Sequence, residues 1–140
     1  MRKRTRSREI ALKILYAWDI TGEPVAECRR KFWENNKSAE KEIVEFSDFL
    51  IFGVEKNLKR TDEIITGHAL NWTLERMATI DRNVLRIASF ELLFSAGTPP
   101  KVAINEAIDL AKKYGDRESG KFVNGILDKI NRAEKDRACP

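Results

Sequence analysis

The four prolines of this chain stand outside its apolar segments, and this placement limits the fold more than any other feature. Pro24 closes the first apolar segment together with Gly22, and Pro99 and Pro100 separate the middle of the chain from its end. Proline in a helix interior costs about 3 kcal/mol, because it removes a hydrogen bond and clashes with the preceding turn. The segments between these breaks are therefore free to form long helices.

Apolar residues within the segments recur at helical spacing. In the first segment they stand at i, i+3, i+4 and i+7, and the same type of pattern returns in six later stretches, at 24–35, 38–59, 62–70, from 79 onward, at 101–115 and around 123–130. No segment alternates with period two for long enough to predict a strand. The sequence predicts an all-α fold of about seven helices.

The connections between these segments are short, which favours antiparallel neighbours, and the double proline indicates two small bundles that share one core. The run FLIF at 49–52 is continuously apolar, so we expect it to be central. Gly115 follows the last apolar residue of its segment, where a glycine in the left-handed conformation often ends a helix.

The basic charge of the chain is concentrated at its start. Five of the 26 Lys and Arg residues lie within the first eight positions, and the rest of the chain holds 21 basic against 22 acidic residues. Such a cluster repels itself unless an anionic partner compensates it. We therefore expect one domain over 1–140, with a basic arm at 1–8, a helical body at 9–132 and a frayed tail at 133–140.

Features of enzymes and membrane proteins are missing from the sequence. His68 is the single histidine, so no histidine cluster exists for a metal, and neither GxxxxGK[ST] nor GxGxxG occurs to hold a phosphate. We expect no enzymatic activity, catalytic residue, metal or cofactor. No signal peptide or membrane span is evident, and Cys28 and Cys139 are expected to be free thiols, which together indicate a cytoplasmic protein.

The basic arm favours RNA binding over a bare solvated terminus. Four of its five cations are arginine, whose planar guanidinium contacts phosphate in two places and stacks on bases. The predicted phosphate contacts are Arg2, Lys3, Arg4, Arg6 and Arg8. Single-stranded RNA also needs aromatic surfaces for stacking, for which Tyr16 and Phe122 are candidates, although an aromatic at helical spacing is more often part of a core.

Three stretches resemble one known family. REIALKILYAWD, DRNVLRIASFELLF and KVAINEAIDLAKKYGDRESGKFVNGILDKI are together similar to the NusB family of bacterial transcription antitermination factors, over about residues 4–130. The resemblance implies a fold of two small helical bundles. It also implies binding to the boxA element of ribosomal RNA transcripts, together with the ribosomal protein NusE, within the RNA polymerase antitermination complex.

The resemblance assigns roles to individual positions. Its arginine-rich start matches Arg4, Arg6, Arg8 and Glu9, with Ser7 where alanine is usual and Lys13 in place of a frequent glutamine. The family's RNA surface matches Tyr16, Lys121 and Phe122. We expect Phe122 to act mainly in binding and Tyr16 partly in packing. The acidic partner-binding positions of the family match Glu75 and Asp81.

Other classes of protein stay open at this point. A helical protein-interaction scaffold or a ribosome-assembly factor without specific RNA binding would have the same fold, and a weak homodimer is possible through apolar surface of the FLIF type. A related helical domain also precedes the catalytic domain of an RNA cytosine methyltransferase, but the sequence lacks the glycine-rich cofactor loop of that enzyme.

Overall fold

The computed structural model describes residues 2–94 and 97–138, with side chains as far as Glu134. It contains seven α-helices and one 3-10 helix, Leu74–Arg76, and the described residues include no strand. The helices are α1 Lys3–Thr21, α2 Val25–Glu34, α3 Lys41–Lys56, α4 Leu58–His68, α5 Thr79–Phe94, α6 Pro100–Tyr114 and α7 Ser119–Ala138. The predicted all-α fold is confirmed.

Helix α5 is the element that joins the two bundles. On one side α1 packs against α2 and α3, and on the other α6 and α7 form an antiparallel pair. Helix α5 contacts both groups, and ten of its residues are buried, including the polar Asn83 and Ser89. A helix covered on nearly all sides fixes the position of its neighbours, so α5 determines where the first turn of α1 lies.

The FLIF run is only half buried, which differs from the expectation. Leu50 and Ile51 are fully buried, whereas Phe49 is 44% and Phe52 39% exposed. Successive residues of a helix point about 100° apart, so four in a row cannot all face one core. The ring of Phe49 belongs to a line of ring contacts, in which its centre lies 5.1 Å from that of Phe90.

Gly115 is not left-handed, so the predicted C-cap is wrong in its conformation. Its φ is −93° and its ψ −162°, an extended conformation. The residue leaves α6 directly toward α7, and its N–H still donates to the carbonyl of Ala111 at 2.9 Å. The left-handed C-cap belongs instead to Gly22, with φ 75°, whose N–H donates to the carbonyl of Trp18 at the end of α1.

The basic arm is the first part of α1, not an extension ahead of the helical body. Helix α1 begins at Lys3, and Ser7 and Arg8 are already buried. Side-chain contacts hold the first two turns of α1 against the rest of the protein, so residues of the basic arm are already part of the first helix. The tail at 133–140, expected to be frayed, is helical as far as Ala138, and Cys139 and Pro140 lie outside the described residues.

Candidate nucleic-acid interface

The start of α1 forms ion pairs with α3 and with the residue that precedes α3. Lys3 Nζ lies 2.9 Å from a carboxylate oxygen of Glu40 and 3.3 Å from one of Glu42. These carboxylates raise the pKa of the Lys3 amine, since both stabilise its charged form. The Ser7 hydroxyl donates to the carbonyl of Ile43 at 2.8 Å. Serine at this position provides a buried hydrogen bond that an alanine would lack.

Arg8 is buried and cannot serve as the RNA contact predicted from the sequence. Its side chain is only 3% exposed, and its guanidinium donates to Glu91 through Nε at 2.9 Å and Nη2 at 2.7 Å. Its third nitrogen donates to Glu106 at 3.1 Å, and the hydroxyl of Thr5 donates to the same carboxylate oxygen at 2.5 Å. Two carboxylates occupy all three nitrogens of Arg8, so a phosphate has no access to it.

Arg4 lies on the α3 side of α1. Its guanidinium carbon is 4.3 Å from the centre of the Phe46 ring, within the range of a cation–π contact. The residue stays exposed, so its charge remains available to an anion at that edge. Because Lys3 and Arg4 both lie against α3, the predicted basic arm divides between two faces of one helix.

The other face of α1 combines exposed cations with an exposed aromatic ring. Arg6, Lys13 and Tyr16 fall within a narrow sector at about 100° per residue, Arg2 is the N-cap residue just before the helix, and all four are exposed. We call these four residues the cationic face. Tyr16 is 42% exposed, and no ion pair of Arg2, Arg6 or Lys13 occurs within the described part of the chain. This face can therefore contact phosphates and stack on a base.

The last turn of α6 joins the cationic face to the start of α7. Lys113 Nζ lies 2.5 Å from a carboxylate oxygen of Glu9, between the cations of α1, and Lys13 Nζ lies 5.8 Å from the Tyr114 ring centre. On its other side this turn meets α7, where a Cβ on Gly120 would lie 3.0 Å from Lys112. The two halves of the predicted RNA surface are thus connected through α6.

Lys121 and Phe122 lie in the first turn of α7, beside a cleft. Lys121 is exposed and Phe122 half-buried, with its ring centre 5.6 Å from that of Trp72 in an edge-on contact. The cleft has a volume of about 380 Å³, and its lining includes Trp72, Arg76, Asp81, Asp116, Glu118 and Phe122. We call it the α7 cleft. Trp72 is not among the site residues predicted from the sequence, although a tryptophan between two helical segments was the available signal.

The two predicted partner-binding carboxylates differ in their surroundings. Glu75 is exposed on the 3-10 helix, where it can pair with a basic protein. Asp81 is only 8% exposed and lines the α7 cleft, and its Oδ1 has no hydrogen-bond partner within the described structure. Burial raises the pKa of the Asp81 carboxyl above its usual value, since desolvation disfavours the charged form.

These features define an all-helical protein with a cationic and aromatic surface of the kind that contacts nucleic acid. Among the side chains of residues 2–94 and 97–134, no group of His, Cys, Asp and Glu is placed to hold a metal ion. No described helix is both long and apolar enough to cross a membrane.

The chain belongs to the NusB family, whose model matches residues 5–132. It is 47% identical to the transcription antitermination protein NusB of Anaeromyxobacter dehalogenans over 128 residues, which cover 91% of this chain and 89% of that protein. A crystal structure of the antitermination factors NusB and NusE with double-stranded RNA contains a similar chain, with a TM-score of 0.87 and 33% identity, covering 95% of this chain and 98% of that one. The solution structure of NusB from Aquifex aeolicus gives a TM-score of 0.85 at 32% identity, with coverage of 100% and 95%.

Proposed function

We propose that this protein is a transcription antitermination factor that binds boxA-type RNA of ribosomal RNA transcripts together with the ribosomal protein NusE. The observation that supports this most directly is the cationic face, where exposed Arg2, Arg6 and Lys13 lie in line with the exposed ring of Tyr16. The curated relatives are antitermination proteins, and one similar chain was crystallised with NusE and double-stranded RNA.

The mechanism separates affinity from base preference. Arg2, Arg4 and Arg6 supply phosphate contacts, which provide sequence-independent affinity. Tyr16 and Phe122 offer ring surfaces to unpaired bases, and Lys121 adds a cation beside Phe122. Unpaired bases can stack on such rings, so single-stranded RNA is the better ligand for this surface.

A basic protein partner fits the acidic side of the molecule. The α7 cleft contains the carboxylates of Asp81, Asp116 and Glu118 against the single cation of Arg76 in its lining. Exposed Glu75 lies on the neighbouring 3-10 helix. A ribosomal protein rich in Lys and Arg complements this charge, and joining two RNA-binding surfaces in one heterodimer raises the affinity for RNA. In this role the protein acts in the cytoplasm as an adaptor within the RNA polymerase complex, and makes or breaks no bond.

The proposal is tested by RNA binding across salt concentrations, with and without purified NusE. We expect boxA-type RNA to bind more tightly than a scrambled RNA, and NusE to increase this preference. Replacing Arg2 and Arg6 by Ala should lower the slope of log affinity against log salt by about 1.4, or about 0.7 per lost contact on a single strand. Lys59→Ala with Lys129→Ala removes the same charge from exposed helical positions and is the matched control. Equal affinity for both RNAs, with no effect of NusE, would contradict the proposal.

A further inference from the structure

A second cleft lies between α1 and the end of α2, and the site described above leaves it unassigned. Its volume is about 260 Å³. Its polar lining consists of Arg6, Glu9 and Lys13 from α1 and of Trp33, Asn36 and Lys37 from the end of α2 and the residues that follow it. We call it the α1–α2 cleft. Two of its cations, Arg6 and Lys13, belong to the cationic face, so the cleft opens beside that surface.

The charges in this cleft favour an anion. Arg6, Lys13 and Lys37 are exposed cations, and within the described structure they have no ion-pair partner. The single carboxylate of the lining belongs to Glu9, and Lys113 already lies 2.5 Å from it. Three cations therefore face a carboxylate that is neutralised from outside the cleft.

The hydrogen-bonding groups of the cleft lining favour a ligand that accepts hydrogen bonds. Lysine and arginine only donate, and an indole N–H only donates. The Nε1 of Trp33 is buried, and no acceptor for it occurs within the described structure. Leaving a buried donor unpaired costs about 1–3 kcal/mol, so an acceptor reaching this nitrogen would be favoured. The side-chain nitrogen of Asn36 is already used, since it donates to the carbonyl of Phe32 at 2.7 Å.

We propose that the α1–α2 cleft binds a backbone phosphate of the RNA, so that the RNA path extends from the cationic face onto α2. This inference rests on the proposed function. A phosphate supplies acceptors and negative charge and needs no donor in return, which matches this lining better than a base does. Arg6 and Lys13, about 10 Å apart along α1, border the cleft. Lys37 and the Trp33 indole are then additional phosphate contacts.

The first test compares Lys37→Ala with Lys59→Ala in the full chain. Both variants remove one exposed lysine, but only Lys37 lines the cleft. Binding of a boxA-type RNA is measured by fluorescence anisotropy at several salt concentrations. We expect Lys37→Ala to weaken binding and lower the salt slope by about 0.7, and Lys59→Ala to change neither.

Two negative results are distinguishable. If wild-type protein binds RNA with a salt slope that Lys37→Ala leaves unchanged, the phosphate site is overturned and the proposed function stands. If wild-type protein shows no salt-dependent binding to any RNA, both are overturned.

A second measurement reports on the indole directly. In a ¹H–¹⁵N spectrum the Trp33 side-chain signal is identified by its loss in Trp33→Phe, which keeps an aromatic ring and removes the N–H. We expect this signal to shift as RNA is added to the wild-type protein, because the N–H gains a phosphate acceptor, and to shift less in Lys37→Ala. If the chemical shift of the Trp33 signal does not change when the protein is saturated with RNA, no phosphate contacts the indole N–H and the inference is overturned.

Discussion

The guanidinium of Arg8 and the carboxylate of Glu91 form a buried two-point pair that joins α1 to α5. Nη2 lies 2.7 Å from Oε1 and Nε 2.9 Å from Oε2, with side-chain exposures of 3% and 1%. The two residues are 83 positions apart in sequence. Glu106 of α6 accepts a third bond from the same guanidinium. The first turns of α1, which contain the exposed cations, are therefore held rigidly against both bundles.

Removing Arg8 should strongly destabilise the protein. We expect Arg8→Met to lower the free energy of unfolding by about 3–5 kcal/mol, because it leaves a buried carboxylate without its partner. Replacing the pair together, Arg8→Met with Glu91→Leu, should cost less than the single change, since no buried charge is stranded. Urea denaturation of the three proteins measures this. A loss below about 1 kcal/mol for the single variant would contradict this prediction and show that Glu91 does not depend on Arg8.

The sequence could not predict this role of Arg8. Periodicity identifies which face of a helix is apolar, and it placed Ile14 and Leu15 inside correctly. It cannot show that an arginine at the edge of that face is neutralised by a carboxylate far along the chain. Charge counting therefore assigned Arg8 to the arm together with Arg6, although Arg8 is buried and Arg6 exposed.

The same limit applies to the candidate site. Tyr16 stands off the apolar face of α1 in the sequence, and it is exposed in the structure. In contrast, the α1–α2 cleft depends on the angle at which α2 meets α1, and the α7 cleft depends on Trp72 reaching Phe122. Neither relation follows from the pattern within one helix. Helical segments and their exposed faces were predictable, but clefts between helices were not.

Gly53 is required by close packing rather than by its backbone conformation. A Cβ at this position would lie 2.1 Å from the nearest ring atom of Phe90, which is itself only 4% exposed. We expect Gly53→Ala to destabilise the protein by about 1–3 kcal/mol, the usual cost of overpacking, even though alanine favours helix. Thermal unfolding checks this. Gly125→Ala, where a Cβ meets nothing within 4 Å, is the control and should be neutral or stabilising.

Asp81 should make stability fall as pH rises. Burial raises its pKa in the folded state above the unfolded value near 3.8, so the folded state binds the proton more tightly. Protonated Asp81 therefore stabilises the folded state below the pKa of the unfolded state. This stabilisation is lost as the pH rises through the pKa of the folded state. We expect Asp81→Asn to melt higher than wild-type protein at pH 7 and to lose this advantage near pH 3. A melting difference that is independent of pH would contradict the assignment.

Asp19 should change stability with pH in the direction opposite to Asp81. Burial alone would raise its pKa, but hydrogen bonds from Arg82 and Asn83 and the charge of Arg86 outweigh burial and hold the pKa below its usual value. The stability that Asp19 contributes is present above its pKa in the unfolded state. This stability is lost as the pH falls through its pKa in the folded state. Asp19→Asn should therefore melt lower than wild-type protein at pH 7, and the difference should shrink in acid. Melting curves of both variants from pH 3 to 7 separate the two signs.

Tyr16 should act mainly in RNA binding, whereas Phe122 should contribute both to stability and to RNA binding. This is the reverse of what the sequence led us to expect. Tyr16 is 42% exposed and borders no aromatic partner in the described structure, whereas Phe122 is half-buried against Trp72 at 5.6 Å. We expect Tyr16→Ala to weaken RNA binding by about 1–3 kcal/mol, the value of one stacked base. Its effect on unfolding should stay within about 0.5 kcal/mol, as is usual at the surface.

Phe122→Ala should affect both properties, because its ring touches Trp72 and also borders the α7 cleft. The loss in stability should be smaller than the about 3–5 kcal/mol of a fully buried phenylalanine, since the Phe122 side chain is only partly buried. Urea denaturation and RNA anisotropy on each variant measure the two effects, with Tyr16→Phe as the control that keeps the ring. If Tyr16→Phe loses as much RNA affinity as Tyr16→Ala, the hydroxyl rather than stacking is responsible. If Phe122→Ala loses stability while the folded protein binds RNA at wild-type strength, Phe122 belongs to the core alone.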